Sequence, residues 1–244
     1  MSEQSPKRIS VWSGPRNVST ALMYSFAQRA DTKVFDEPLY AHYLSSIADR
    51  PEHPGEGDIL RAQENVGRRV VDSILMADQG KPVLFFKNMA HHLVDLDWDF
   101  LDEMTNILLT RQPRDMLHSY SKMIPEFGLS DTGYDKLKQL ADAIVAKGQE
   151  PVVIDSKRLL ESPESILRQL CDRVGIQFEE SMLSWEAGPK PDEGVWAPHW
   201  YQNAHRSSGF VAYKPKTDEF PERLQPLLEE CQELYDELLP FAIE

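Results

Sequence analysis

Residues 13–20 read Ser-Gly-Pro-Arg-Asn-Val-Ser-Thr, which puts a glycine, a permanent cation and two hydroxyls in one turn of chain. Between a strand and a helix, such a loop points successive backbone N–H groups at an anion, and the helix dipole favours negative charge there. Gly14 permits the tight turn, Arg16 supplies a guanidinium, and Ser19 and Thr20 supply hydroxyl donors. The run Gly14, Pro15, Arg16, Asn17, Val18, Ser19, Thr20 is therefore a candidate phosphate loop. Its spacing nearly fits the Walker pattern, but Ser19 stands where that pattern has its Lys. Helix capping by a Ser-Thr pair would explain Ser19 and Thr20, but not the Gly and Arg beside them.

A second anion site is suggested by Thr110-Arg111-Gln112-Pro113-Arg114-Asp115, which follows an apolar run and opens a helix with Pro113 in its first turn. Ser119 lies eight residues after Arg111, and a guanidinium and a hydroxyl arranged in this way grip a phosphate. Asp155, after Val152-Val153-Ile154, stands where a Walker-B acid would, which keeps a metal-dependent phosphotransferase or NTPase among the readings.

These residues need elements to carry them. Arg8 to Trp12, Lys33 to Asp36, Val83 to Phe86, Asn106 to Thr110 and Val152 to Ile154 read as strands, several as continuous apolar runs typical of burial on both faces. Helical spacing follows Val18, fills the stretch with Val66, Val70, Ile74 and Leu75, and recurs over Pro113–Ile124, Tyr134–Ala146, the segment after Pro163, and the segment from Pro221. Alternation of about five strands with helices implies an α/β fold: a three-layer parallel sheet with helices on both faces. In such a sheet, ligands sit beyond the carboxyl ends of the strands, where both anion motifs fall. The least regular stretches, Asp49 to Gly57 and Gly188 to Lys216, are long enough to be functional loops. No repeat or linker divides residues 1–244, so one domain is expected.

The chain has 244 residues, 41% hydrophobic and 27% charged, with a formal net charge of −14. That charge argues against general binding to nucleic acid or anionic membrane. The stretch from Met1 to Arg29 holds Glu3 as its one acid against Lys7, Arg8, Arg16 and Arg29, which suits a small anionic ligand. No apolar run approaches a membrane span, the start shows no secretion signal, and Cys171 and Cys231 fall on apolar stripes as buried thiols. The chain reads as cytoplasmic, with a small-molecule partner and an oligomeric state the sequence leaves open.

Gly14 to Thr20 resembles the 5′-phosphosulfate-binding loop of the sulfotransferase family. Arg111-Gln112-Pro113-Arg114 with Ser119 resembles that family's 3′-phosphate motif, and Val153-Ile154-Asp155 through Pro163, Leu167, Leu170 and Gly175 resembles the downstream strand and helix of bacterial members. The resemblance spans roughly residues 8 to 180, in the family's order. It implies a P-loop-like nucleotide-binding fold and a donor, 3′-phosphoadenosine 5′-phosphosulfate (PAPS), used without metal. Arg16, Ser19 and Thr20 would hold the 5′-phosphosulfate; Arg111 and Ser119 would hold the 3′-phosphate. The common Ser-Gly inside the loop is Asn17-Val18 here, and the usual Tyr of the downstream strand is Asp155. The glycine-rich motif of eukaryotic cytosolic members has only a loose substitute, Arg206-Ser207-Ser208-Gly209-Phe210, as a candidate cover for the donor.

Sulfuryl transfer to a hydroxyl or amine needs a base near the acceptor and positive charge near the bridging oxygen. Glu37, in Phe35-Asp36-Glu37-Pro38-Leu39, follows the second strand much as the catalytic Glu of many bacterial sulfotransferases does, and Pro38 predicts an extended backbone for it. The competing set is Lys87-Asn88-Met89-Ala90-His91-His92, similar to the Lys and catalytic His region of the cytosolic enzymes: His92 or His91 as base, Lys87 on the bridging oxygen or facing solvent. The other histidines show no metal-ligand spacing. Trp185, Trp196, Trp200 and Tyr201 are candidates for an acceptor pocket. Beside the sulfotransferase stand two alternatives, the phosphotransferase above and a nucleotide-binding relative that has lost its chemistry.

Overall fold

A computed structural model describes residues 5–215 and 218–244; the expectations that fall on Met1 to Gln4 and on Lys216 lie outside them. The five expected strands form: β1 (Lys7–Ser13), β2 (Thr32–Asp36), β3 (Val83–Met89), β4 (Thr105–Thr110) and β5 (Val152–Asp155). They make one sheet in the order β2-β3-β1-β4-β5, with every pairing parallel. The chain leaves β1 toward β2 on one side and later adds β4 and β5 on the other. This puts the topological switch point, the usual ligand crevice, at the carboxyl end of β1.

Alternate residues of each strand enter opposite cores. Ile9, Val11, Val83, Phe85, Ile107, Leu109 and Ile154 pack on one face, against α1 (Ser19–Ala27), α8 (Ser156–Glu161) and α9 (Pro163–Val174). Trp12, Leu84, Phe86, Leu108 and Val153 pack on the other, against α4 (Gly67–Val70), α7 (Tyr134–Ala146) and α12 (Gln225–Leu238). Helices therefore cover both faces, as the apolar runs predicted.

The expected long helix around Val66 to Leu75 is shorter and uneven: α4 passes into a π turn over Val71–Leu75. Cys171 and Cys231 are free and buried. Smaller pieces cluster above the carboxyl edge of the sheet: α2 (Tyr40–Ser46), α3 (Glu56–Ala62), α5 (Pro113–Tyr120), α6 (Leu129–Thr132), α10 (Ala197–Trp200) and α11 (Gln202–His205). Both irregular stretches meet there. The His53 ring lies 6.4 Å from that of Trp200, and Tyr40 on α2 packs edge-on to Trp196 at 5.1 Å.

Candidate functional site

The loop between β1 and α1 is held mainly by backbone. Gly14 is needed for proximity: a Cβ there would stand 2.4 Å from the carbonyl oxygen of Thr132, and Gly133 packs on Gly14 in turn. Asn17 donates from Nδ2 to the Leu109 carbonyl at 3.1 Å. Ser156 donates from Oγ, with the Asn17 and Thr110 carbonyls at 3.0 and 2.7 Å. Asn17 therefore pins the loop to β4 through its Nδ2, while its Oδ1 is buried with no hydrogen-bond partner among the described residues. Arg16 and Val18 both have positive φ, 61° and 59°, and for a β-branched residue that is a strained conformation of the kind concentrated at functional sites. Val18, not Ser19, occupies the N-cap of α1 and makes no side-chain cap. The N–H groups of Ser19, Thr20 and Ala21 thus have no intrahelical acceptor and open onto the loop.

Arg16 reaches over this opening. Its Nε donates to Ser119 Oγ at 3.2 Å, and its Nη1 donates to the Trp200 carbonyl at 3.2 Å. Arg111, at the end of β4, donates from Nη1 to the Arg16 carbonyl at 2.6 Å, and the Tyr134 hydroxyl donates to the Arg111 carbonyl at 2.5 Å. Burial and the neighbouring Arg111 both lower the proton affinity of Arg16. Among the described residues no carboxylate forms an ion pair with Arg16, and the Asp115 carboxylate is 3.8 Å from Arg111. Two guanidiniums beside an uncapped helix start make this end of the sheet electropositive, which is the chemistry an anion requires. The structure brings Arg16, Arg111 and Ser119 together as one connected group.

The second cluster lies at the carboxyl ends of β2 and β3, where Asp36 is the register partner of Lys87. Lys87 is buried and does not face solvent. Its ammonium donates to Asp36 Oδ1 at 2.8 Å, to the Tyr201 hydroxyl at 2.6 Å and, in a shorter contact, to Glu37 Oε1. Burial raises the proton affinity of Glu37, Lys87 opposes that, and Asp36 adds to it; the net direction is upward. For Lys87, burial works against the charge, yet Asp36 and Glu37 outweigh it and hold the ammonium charged. Glu37 is not extended as Pro38 predicted: its φ is 43°. The main chain turns there because Glu37 N–H still bonds the Lys87 carbonyl at 2.7 Å, while the Glu37 carbonyl accepts from Tyr40 N–H and Gln63 Nε2.

His91 and His92 are buried beside this cluster. His92 stacks on Tyr40 and on Tyr43, each at 4.8 Å, and His91 meets its ring at 4.6 Å. Burial pushes the His91 ring down to about 3 and His53 to about 4, and His92 falls well below the usual range. His91 Nδ1, His92 Nδ1 and His53 Nε2 are buried without a hydrogen-bond partner among the described residues. His42, by contrast, is fully used: its Nδ1 accepts from Gly67 N–H at 3.1 Å, so its Nε2 donates to the Val94 carbonyl at 2.8 Å.

Other sequence candidates have structural roles. Asp155 caps α8 by accepting from Arg158 N–H at 3.0 Å and accepts from the Tyr235 hydroxyl at 2.9 Å, so both its oxygens are engaged. The Arg206–Phe210 stretch is pinned elsewhere: Gly209 bridges Ser184, Ser207 bonds the Trp185 indole at 3.2 Å, and Phe210 packs on Trp185. Of the late aromatics, Trp185 belongs to the core under α1, whereas Trp196 and Tyr201 pack together with α2. Among the described residues, no group of three or more His, Cys, Asp or Glu is placed to hold a metal ion. Asp36 was missed in the sequence, and Tyr201 was picked out there only as an acceptor-pocket candidate, not as a partner of Lys87 and Asp36. The signal for Asp36 was legible: Val34-Phe35-Asp36 aligned on Phe85-Phe86-Lys87 sets an acid opposite a lysine at two strand ends.

The chain thus has a parallel α/β sheet with a strained, uncapped loop at its switch point. A sulfotransferase domain model matches residues 7–232, and the chain belongs to that family. Two curated Arabidopsis thaliana proteins are similar to it: branched-chain-amino-acid aminotransferase-like protein 2, 38% identical over 93% of this chain, and protein 1, 39% identical over 95%. The chain spans only 40% and 41% of those two proteins. Among solved structures, the sulfotransferase domain of a Synechococcus olefin synthase superposes with a TM-score of 0.58 at 18% identity, covering 97% of each chain. The sulfotransferase domain of the curacin biosynthetic pathway gives 0.57 at 19% identity, covering 99% of this chain and 100% of that one. At these identities the likeness is one of fold.

Proposed function

We propose that this chain is a PAPS-dependent sulfotransferase that moves a sulfuryl group to a hydroxyl or amine of a small-molecule acceptor. The observation that carries the reading is the Arg16–Ser119–Arg111 group beside the uncapped start of α1, which offers two phosphates a shared set of donors. In this reading the Gly14–Thr20 backbone, Arg16, Ser19 and Thr20 take the 5′-phosphosulfate, and Arg111 with Ser119 takes the 3′-phosphate. Glu37 takes the acceptor proton as the acceptor oxygen or nitrogen bonds to sulfur. The bond from sulfur to the bridging oxygen breaks, and the nucleotide bisphosphate leaves with the negative charge. Lys87 supplies positive charge near the reacting groups.

Against the phosphotransferase reading stand Ser19 in place of the P-loop Lys and the use of Asp155 as a cap. The aminotransferase-like names belong to proteins of which this chain matches two-fifths, so they do not choose its acceptor. The deciding experiment is thermal unfolding with nucleotides. At a hundredfold excess over its Kd, 3′-phosphoadenosine 5′-phosphate should add about 2.7 kcal/mol, a rise of about 5–10 °C for a chain of this size, without magnesium. Stabilisation by ATP with magnesium, and none by the bisphosphate, would reverse the choice.

A further inference from the structure

The Lys87 ammonium has three N–H bonds, and three acceptors surround it: Asp36, Glu37 and Tyr201. The Tyr201 hydroxyl has a single proton, and Asp36 oxygens lie at 2.8 and 2.9 Å. It therefore donates chiefly to Asp36, with Glu37 Oε1 as a weaker second acceptor at 3.3 Å, and accepts from both Lys87 and the Trp196 indole, the latter at 3.0 Å. Asp36 Oδ2 also accepts from Gly194 N–H at 3.0 Å. Asp36 is thus bound on both oxygens by strand, loop and phenol. Glu37 is held differently: Oε1 takes the ammonium, and Oε2 has no hydrogen-bond partner among the described residues. Its side chain is 8% exposed, against 1% for Asp36 and for Lys87.

We propose that Tyr201 and Asp36 are positioning residues of the transfer site. Together they occupy two of the three N–H bonds of Lys87 and leave Glu37, through Oε2, as the member of the cluster that exchanges a proton. The inference rests on the reading of Glu37 as the base. It explains how two adjacent acids at one strand end have different roles: Asp36 is the fixed counter-ion that keeps Lys87 charged, and Glu37 is the partner with an uncommitted oxygen. The segment carrying Gly194, Trp196 and Tyr201 then completes the site from more than a hundred residues beyond β3. The groups facing Glu37 are Lys87 from β3, Asp36 from β2, Tyr201 from the late segment, and the Tyr40 and Tyr120 phenols from α2 and α5, whose ionisation Glu37 disfavours.

The two positioning residues push Glu37 in opposite directions. The Tyr201 hydroxyl lies 3.3 Å from Oε1 and favours the carboxylate, whereas the Asp36 charge disfavours it. The test is the titration of the Glu37 carboxyl by carbon-13 NMR in protein labelled at the glutamate carboxyl, with the signal assigned through Glu37→Gln. Tyr201→Phe should move the titration up and Asp36→Asn should move it down, each by about one pH unit. Affinity for 3′-phosphoadenosine 5′-phosphate should stay within about twofold in both. If Asp36→Asn does not fold, the upward shift in Tyr201→Phe carries the test. A Glu37 titration unmoved in the folded variants overturns the positioning role. A Glu37→Gln protein that transfers sulfate at the unmodified rate removes the base reading itself, and with it the catalytic meaning of the cluster.

Discussion

Arg16 and Ser119 are hydrogen-bonded, Nε to Oγ at 3.2 Å, although one belongs to the loop after β1 and the other to α5 after β4. Residues read from the sequence as parts of two phosphate sites share a wall. Arg111 adds a second tie by bonding the Arg16 carbonyl.

Because of that tie, the two sites should not behave independently. Arg111→Ala and Ser119→Ala should each weaken 3′-phosphoadenosine 5′-phosphate strongly and adenosine 5′-phosphosulfate by a smaller amount, through loss of support for Arg16. Arg16→Ala should weaken both ligands. The Arg16→Ala/Ser119→Ala double variant should depart from additivity by about 0.5–3 kcal/mol for the bisphosphate. Calorimetric titration of the cycle measures this, and strict additivity would mean two separate sites.

Glu37→Gln keeps size and hydrogen bonding but removes basicity. Single-turnover sulfate transfer should fall by about 10²–10⁴-fold with donor affinity preserved, and His92→Asn should cost less. The pH profile separates the candidates. Glu37 acts when ionised and its affinity for the proton is raised, so rate should decline as pH falls through a limb above the ordinary carboxylate value. A limb near 3 would instead report a buried imidazole such as His91.

The sheet was legible because β3, β4 and β5 carry continuous apolar runs and β1 and β2 shorter ones, and a parallel sheet has its ligand edge at the carboxyl ends of its strands. The anion loop was legible for a related reason: Gly14, Arg16 and Ser19 act within a few residues of one another. The second cluster was only half legible. Glu37 and Lys87 stood at strand ends, but Tyr201 lies in a stretch with no periodicity, and its approach to Asp36 depends on loop packing that leaves no local pattern. Pro38 misled for a physical reason. The bias toward an extended residue before proline is modest, and the bonds of Glu37 N–H to Lys87 and of its carbonyl to Tyr40 and Gln63 outweigh it.

The buried histidines should make the fold acid-sensitive. Their folded affinity for protons is depressed, about 4 for His53 and about 3 for His91, against 6.5 for the free ring. Between those values the unfolded chain binds more protons, so stability falls as pH drops from 6.5, by up to about 1.4 kcal/mol per pH unit for each ring. Glu37, Asp131 and Asp192, raised by burial, work in the opposite direction. Three rings set against them should still leave a net loss from pH 7 to 5.5. Urea unfolding across that range checks it, and His91→Phe should flatten the dependence.

Gly14→Ala should be costly although its backbone is not left-handed. The added Cβ would stand 2.4 Å from the Thr132 carbonyl, and a main-chain atom cannot swing aside. A loss of about 1–3 kcal/mol is expected by denaturant unfolding. Gly80→Ala, at φ 74° with nothing within 4 Å, should cost about 1–2 kcal/mol from conformation alone and leave nucleotide affinity unchanged.

Trp200 and Tyr201 are consecutive, yet one offers its carbonyl to Arg16 and the other its hydroxyl to Asp36. A phosphate that drew Arg16 away from Trp200 would act one peptide unit from the phenol bracing Lys87. Occupancy on the nucleotide side would then be felt, by a small amount, on the acceptor side through two neighbouring residues of one chain.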